Sequence, residues 1–97
     1  MFTFEEICEL ATPIARKHGI KSLSLFGSYA RGDATESSDV DFLFDDGGAI
    51  SSLWEYAGLV LDLEKVFGVH VDLVSTDAEN KDFLASVGNE SRLVYAR

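Results

Sequence analysis

Two hydrophobic periods divide this chain into helices and strands. From Phe4 onward the apolar residues recur as Phe4, Ile7, Leu10, Ala11, Ile14 and Ala15, which lie on one face of a helix. Thr3 and Glu6 stand at capping-box spacing in front of that run. Arg16, Lys17 and His18 fall in its last turn, where the helix dipole favours cations, and Gly19 is the expected stop. Pro13 is discordant, because it lacks the N–H that a helix interior uses and should kink the helix or divide it. Residues 20–26 then read as a strand ending at Gly27, residues 28–34 as a turn or short helix, and residues 36–38 as a polar loop.

Residues 39–44 alternate with a period of two, so that Val40, Phe42 and Phe44 share one face and Asp39, Asp41 and Leu43 the other. Asp45-Asp46-Gly47-Gly48 is a turn. Ile50, Leu53, Trp54, Ala57, Val60, Leu61, Glu64 and Phe67 mark a second helix, with Ser52 and Glu55 as another capping box and Gly68 as its end. A third strand over residues 69–74 opposes Val69, Val71 and Leu73 to His70, Asp72 and Val74. Phe83, Leu84 and Val87 suggest a last short helix, and Leu93-Val94-Tyr95 a final strand or docking tail. Cys8, Trp54 and the phenylalanines are the expected core residues, and His18 and His70 read as surface or packed histidines rather than ligands. The order of elements predicts an α/β fold, a small mixed β-sheet with helices packed on one face.

Composition narrows the picture. Ninety-seven residues suit a single domain over 1–97, and 46% hydrophobic residues exclude a disordered tail. No stretch approaches the roughly 18–20 uninterrupted apolar residues of a membrane span. Glu5, Glu6 and Glu9 stand where a signal peptide would carry Lys or Arg, and the single cysteine, Cys8, cannot form an internal disulfide. Both point to the cytoplasm. Seventeen acidic against eight basic side chains leave a net charge of −9, which repels phosphate backbones and argues against nucleic acid as a partner. It suits cations, or a protein with a basic face.

The candidate chemistry lies in the carboxylates. Asp39 and Asp41, two apart on a strand, project from one face about 6–7 Å apart. Side-by-side carboxylates repel each other, and a cation relieves that repulsion; Mg²⁺ takes carboxylate, water and phosphate oxygens together. Asp72 completes a cluster of three if its strand pairs beside theirs. Gly27-Ser28, at a strand end and a helix start, can admit a phosphate to the backbone N–H groups and to the Ser28 hydroxyl. Ser28 could equally be a plain helix N-cap. A triphosphate bridged by Mg²⁺ would satisfy both parts.

Read together, Gly27-Ser28, ten intervening residues and Asp39-Val40-Asp41 resemble the signature of the polymerase-β-like nucleotidyltransferase superfamily. The flanking LFGSYARGD and SDVDFLF, and the later VDLV, resemble its smallest members, the minimal nucleotidyltransferases, over most of the chain. The resemblance implies that Asp39 and Asp41 hold two metal ions, and that Asp72 shares one and acts as a base toward an acceptor hydroxyl. It implies that Gly27 and Ser28 grip the β- and γ-phosphates of a nucleoside triphosphate, ATP by default, with Arg31 in the same loop as a further phosphate contact. Members of this size lack the helical domain with which larger relatives hold a small acceptor, so the acceptor is expected from another chain. Many resemble antitoxins that add AMP to a tyrosine of a helical HEPN-type toxin, and such a toxin, or another acceptor protein, is the partner implied. Two other functions stay open at this point: a non-catalytic antitoxin that acts by binding, and the catalytic subunit of a small-molecule nucleotidyltransferase.

Overall fold

In the computed structural model, which describes residues 1–77 and 81–97 apart from the Phe83 side chain, the helical and strand periods appear as eight elements. They are α1 (Phe4–His18), β1 (Ser22–Phe26), α2 (Ser28–Arg31), β2 (Val40–Asp45), α3 (Leu53–Phe67), β3 (Val71–Ser75), α4 (Lys81–Glu90) and β4 (Arg92–Ala96). The expectation that Phe83 belongs to the core lies outside the described residues.

Local chemistry sets the helix ends. The Glu6 N–H donates to Thr3 Oγ1 at 3.1 Å and the Thr3 N–H to Glu6 Oε1 at 2.8 Å, a complete capping box. At α3 only half of the expected box forms. The Glu55 N–H donates to Ser52 Oγ at 3.1 Å, while the Glu55 carboxylate accepts from the Ser51 N–H at 2.9 Å, one residue further back. Gly19 and Gly68 close α1 and α3 in the left-handed conformation. Pro13 does not divide α1, which runs unbroken through it. Pro13 faces outward, and the buried Ile7, Ala11 and Ala15 hold the helix to the core on the other side of the missing hydrogen bond.

The four strands form one mixed sheet in the order β3-β2-β1-β4, antiparallel except for the parallel β2–β3 pair. Leu93-Val94-Tyr95 is thus a strand, paired along β1. The buried residues of the strands, Leu23, Leu25, Val40, Phe42, Phe44, Val71 and Leu73, meet Ile7, Ala11 and Ala15 of α1 and Leu59, Leu63 and Phe67 of α3 in one core. His18 Nε2 lies 2.8 Å and Lys17 Nζ 3.1 Å from Asp62 Oδ2, joining the two helices at the surface. No helix among the described residues is long and apolar enough to cross a membrane.

Two sequence expectations about the core need correction. Trp54 is 85% exposed, and Leu53 and Leu61 of the same helix are also exposed. Helix α3 carries more apolar residues than one face can bury, and the stripe turned inward is Leu59, Leu63 and Phe67, spaced four apart. Cys8 is only half-buried.

Strand β3 forms one edge of the sheet. Its outward N–H and C=O groups would invite another strand, and side chains of α3 cover two of them. The Tyr56 hydroxyl donates to the Leu73 carbonyl at 3.0 Å, and Glu64 Oε2 accepts from the Val71 N–H at 3.1 Å.

Candidate active site

The carboxylates gather where β1, β2 and β3 run side by side. Strand β2 turns Val40, Phe42 and Phe44 into the core, which leaves Asp39 and Asp41 on the opposite face. In the parallel register Asp41 is the partner of Asp72, and in the antiparallel register it is the partner of Phe26. Asp72 stands directly beside Asp41, and ligand atoms of Asp39, Asp72 and His70 all lie within 4.8 Å of one another.

Phe26 leads into Gly27, which has φ +75° and ψ −152°, a conformation open to glycine. A second constraint acts on the same residue. A Cβ at position 27 would stand 3.0 Å from Asp41 Cγ and overlap its Oδ2. The Asp41 carboxylate thus rests against the bare glycine backbone, at the start of α2. Gly27 is itself the cap residue of that short helix, its carbonyl accepting from the Ala30 and Arg31 N–H groups at 3.1 and 3.0 Å. Ser28 is therefore the first helical residue, not the N-cap, and makes no side-chain cap. Arg31 is engaged with carboxylates, its Nε 3.4 Å from Asp33 Oδ2 and its Nη1 3.3 Å from Glu90 Oε2.

Electrostatics follow from this crowding. Burial, above all, raises the Asp41 pKa from 3.8 to about 6; a hydrogen bond with Asp72 and the charges of Asp72 and Asp39 add to it, and Arg31 offsets a part. His70 is raised as well, first by its hydrogen bond to Asp72 and then by the one to Glu64. Its Nε2 lies 2.9 Å from Asp72 Oδ1 and its Nδ1 3.0 Å from Glu64 Oε2. A cleft of about 400 Å³ opens beside these groups, lined among others by Phe26, Asp41, Tyr56, His70, Asp72 and Val74.

The donor set fits a divalent cation. Asp39, His70 and Asp72 offer ligand atoms within 4.8 Å of one another, with Asp41 directly beside Asp72, and the carboxylate oxygens among them suit a Mg²⁺ site open to substrate phosphates. Asp41, raised by burial and then by its carboxylate neighbours, carries a negative charge that a bound cation would relieve. Sequence reasoning set His70 aside as a surface or packed histidine and gave Glu64 no place in the site. His70 shares a strand face with Asp72 by period two, which was the available signal. Glu64 carried none, since six residues and a turn separate it from His70.

Comparison with known proteins identifies the family. Residues 7–95 match the family model described as nucleotidyltransferase domain. A Methanocaldococcus jannaschii protein provisionally named protein adenylyltransferase MJ1379 is 36% identical over 98% of this chain and 99% of its own length. Protein adenylyltransferase MntA of Thermococcus cleftensis is 41% identical over 76% of this chain and 78% of its own. A solved structure provisionally described as a minimal nucleotidyltransferase superposes with a TM-score of 0.77 at 33% identity, covering 94% of this chain and 95% of that one. A complex of a tri-AMPylated Shewanella oneidensis HEPN toxin with an MNT antitoxin contains the same fold, with a TM-score of 0.73 at 15% identity over 98% of this chain and 74% of that one.

Proposed function

The chain belongs to the nucleotidyltransferase domain family and is a nucleotidyltransferase; from that premise we propose that it moves AMP from ATP onto a hydroxyl of a partner protein, a tyrosine of a HEPN-type toxin. The observation that carries the reading is the meeting of Asp39, Asp41 and Asp72 with the Gly27 backbone at one corner of the sheet. A relative matched over 99% of its own length is named for adenylylation of protein, which supports a protein acceptor. The HEPN toxin of the S. oneidensis complex is AMPylated, which supports the toxin as the acceptor's class. A net charge of −9 suits a basic partner surface.

In this mechanism Gly27 and Ser28 hold the β- and γ-phosphates, and Arg31 adds a cationic contact at the rim. Asp39 and Asp41 supply carboxylates that would hold the cations against the α-phosphoryl group, since carboxylates alone would repel it. The acceptor oxygen forms its bond to the α-phosphorus as the bond to the β-phosphate oxygen breaks, pyrophosphate departs, and Asp72 takes the hydroxyl proton. Two Mg²⁺ ions held by Asp39, Asp41 and Asp72 would lower the acceptor's pKa and clamp the attacking and leaving oxygens.

The test is transfer of label from α-labelled ATP to the protein encoded beside this chain and co-expressed with it. Label should appear on that neighbour with Mg²⁺, and vanish with EDTA or in Asp39→Asn. An Asp39→Asn protein that labels its partner like wild type would overturn the catalytic assignment. A stable complex that never acquires label, yet neutralises the partner in cells, would make this a binding-only antitoxin. Label on a small hydroxylated compound instead would make it a small-molecule enzyme.

A further inference from the structure

Two residues to which sequence reasoning gave no role in the site, His70 and Glu64, form a clasp on Asp72. Glu64 lies in the last turn of α3, and its Oε2 accepts from the Val71 N–H at 3.1 Å while standing 3.0 Å from His70 Nδ1. The other ring nitrogen, Nε2, stands 2.9 Å from Asp72 Oδ1. The chain of contacts therefore runs from the helix, through the imidazole, to the carboxylate.

Asp72 needs such a support. Its side chain is 51% exposed, on an edge strand, and among the described residues no strand lies on the outer side to limit its rotamers. Asp41, by comparison, is half-buried and held against Gly27. Strand integrity does not explain the clasp. Glu64 already covers the Val71 N–H without the imidazole, and β3 is bonded to β2 throughout its length. Surface stability does not explain it either, because ion pairs this exposed contribute little. What the imidazole does accomplish is to fix one oxygen of Asp72 at 2.9 Å, within 4.8 Å of the Asp39 carboxylate.

We propose that His70, braced by Glu64, is a positioning residue that holds the Asp72 carboxylate in the orientation needed to share a divalent cation with Asp39 and Asp41. The proposal rests on the reading of these carboxylates as a metal site. Partners that orient a metal ligand through a hydrogen bond typically change metal affinity by about 10–100-fold when removed.

Mn²⁺ alone is the probe, its binding to the whole purified chain followed by the EPR signal of the free ion at fixed pH and ionic strength. Wild type, Asp39→Asn, His70→Ala and His70→Gln are compared, with a thermal melt of each. His70→Ala should bind Mn²⁺ about 10–100-fold more weakly while melting close to wild type. His70→Gln, whose amide can still donate to Asp72, should recover most of the affinity. Wild-type affinity in His70→Ala, with Asp39→Asn weakened, overturns the clasp and leaves the metal site standing. A loss that glutamine does not restore also overturns it, because the ring would then be acting as a ligand and not through Asp72. Equal binding by wild type and Asp39→Asn would remove the metal site itself, and the clasp with it.

Discussion

Replacing Asp41 by asparagine should make the metal-free protein more stable, although the same change removes a residue assigned to the site. Folding raises the pKa of this carboxyl from 3.8 to about 6, chiefly by burying it. At neutral pH the folded state therefore holds a charge that it would rather shed. A tenfold change in proton affinity corresponds to about 1.4 kcal/mol, so the penalty reaches about 3 kcal/mol. Asp41 keeps some contact with water and can share a proton with Asp72, which reduces the realised effect to on the order of 1–2 kcal/mol. For a chain of this length that is a rise in melting temperature of about 5–10 °C.

The sign can be followed with pH. A carboxyl whose folded pKa lies above its unfolded one contributes its stability below pH ~4 and loses it as the pH rises through ~6. The advantage of Asp41→Asn should thus be widest at pH 7–8 in EDTA and close toward pH 4. Saturating Mg²⁺ should erase or reverse it, because the cation stabilises wild type and has fewer ligands in the variant. Thermal melts by circular dichroism across this pH range, with and without Mg²⁺, provide the assay. A variant that melts at or below wild type at pH 7.5 in EDTA would refute the reasoning, and so would a gap that ignores pH.

Other substitutions probe the frame of the site. Gly27→Ala sets a Cβ into the Asp41 carboxylate at a positive φ, and should lower stability by about 1–3 kcal/mol and abolish labelled transfer together; an active, equally stable variant would contradict the close approach. Tyr56→Phe removes the hydroxyl that covers the Leu73 carbonyl and should cost about 1 kcal/mol in a denaturant melt, with no change in the slope. Trp54→Ser, at an 85% exposed position, should shift stability by no more than about 0.5 kcal/mol, whereas a core tryptophan would cost several times that.

Much of the local structure was legible because local chemistry decides it. The Thr3–Glu6 capping box, the glycine stops at Gly19 and Gly68 and the two-residue alternation of β2 all depend on neighbours within a few positions. The shared face of Asp39 and Asp41 follows from the same alternation, and the Gly27-Ser28 turn from the glycine. Pro13 misled, because the outcome depended on how firmly Ala11 and Ala15 are packed, and packing is not local. Trp54 misled for a related reason. An apolar run can show that a helix has a core-facing side, but when several stripes are apolar the neighbours choose among them.

By itself, then, the sequence determined the elements, the spacing of the glycine–serine turn from the paired aspartates, and the family to which that spacing belongs. Tertiary structure alone decided that β3 lies parallel to β2 with Asp72 opposite Asp41, that the Asp41 carboxylate presses on Gly27, and that α3 reaches over the sheet edge to brace His70 with Glu64. Backbone periodicity acts over two to four residues and is written into the chain. Strand order and side-chain contact join residues far apart in sequence, and they are settled by which apolar faces can be buried together.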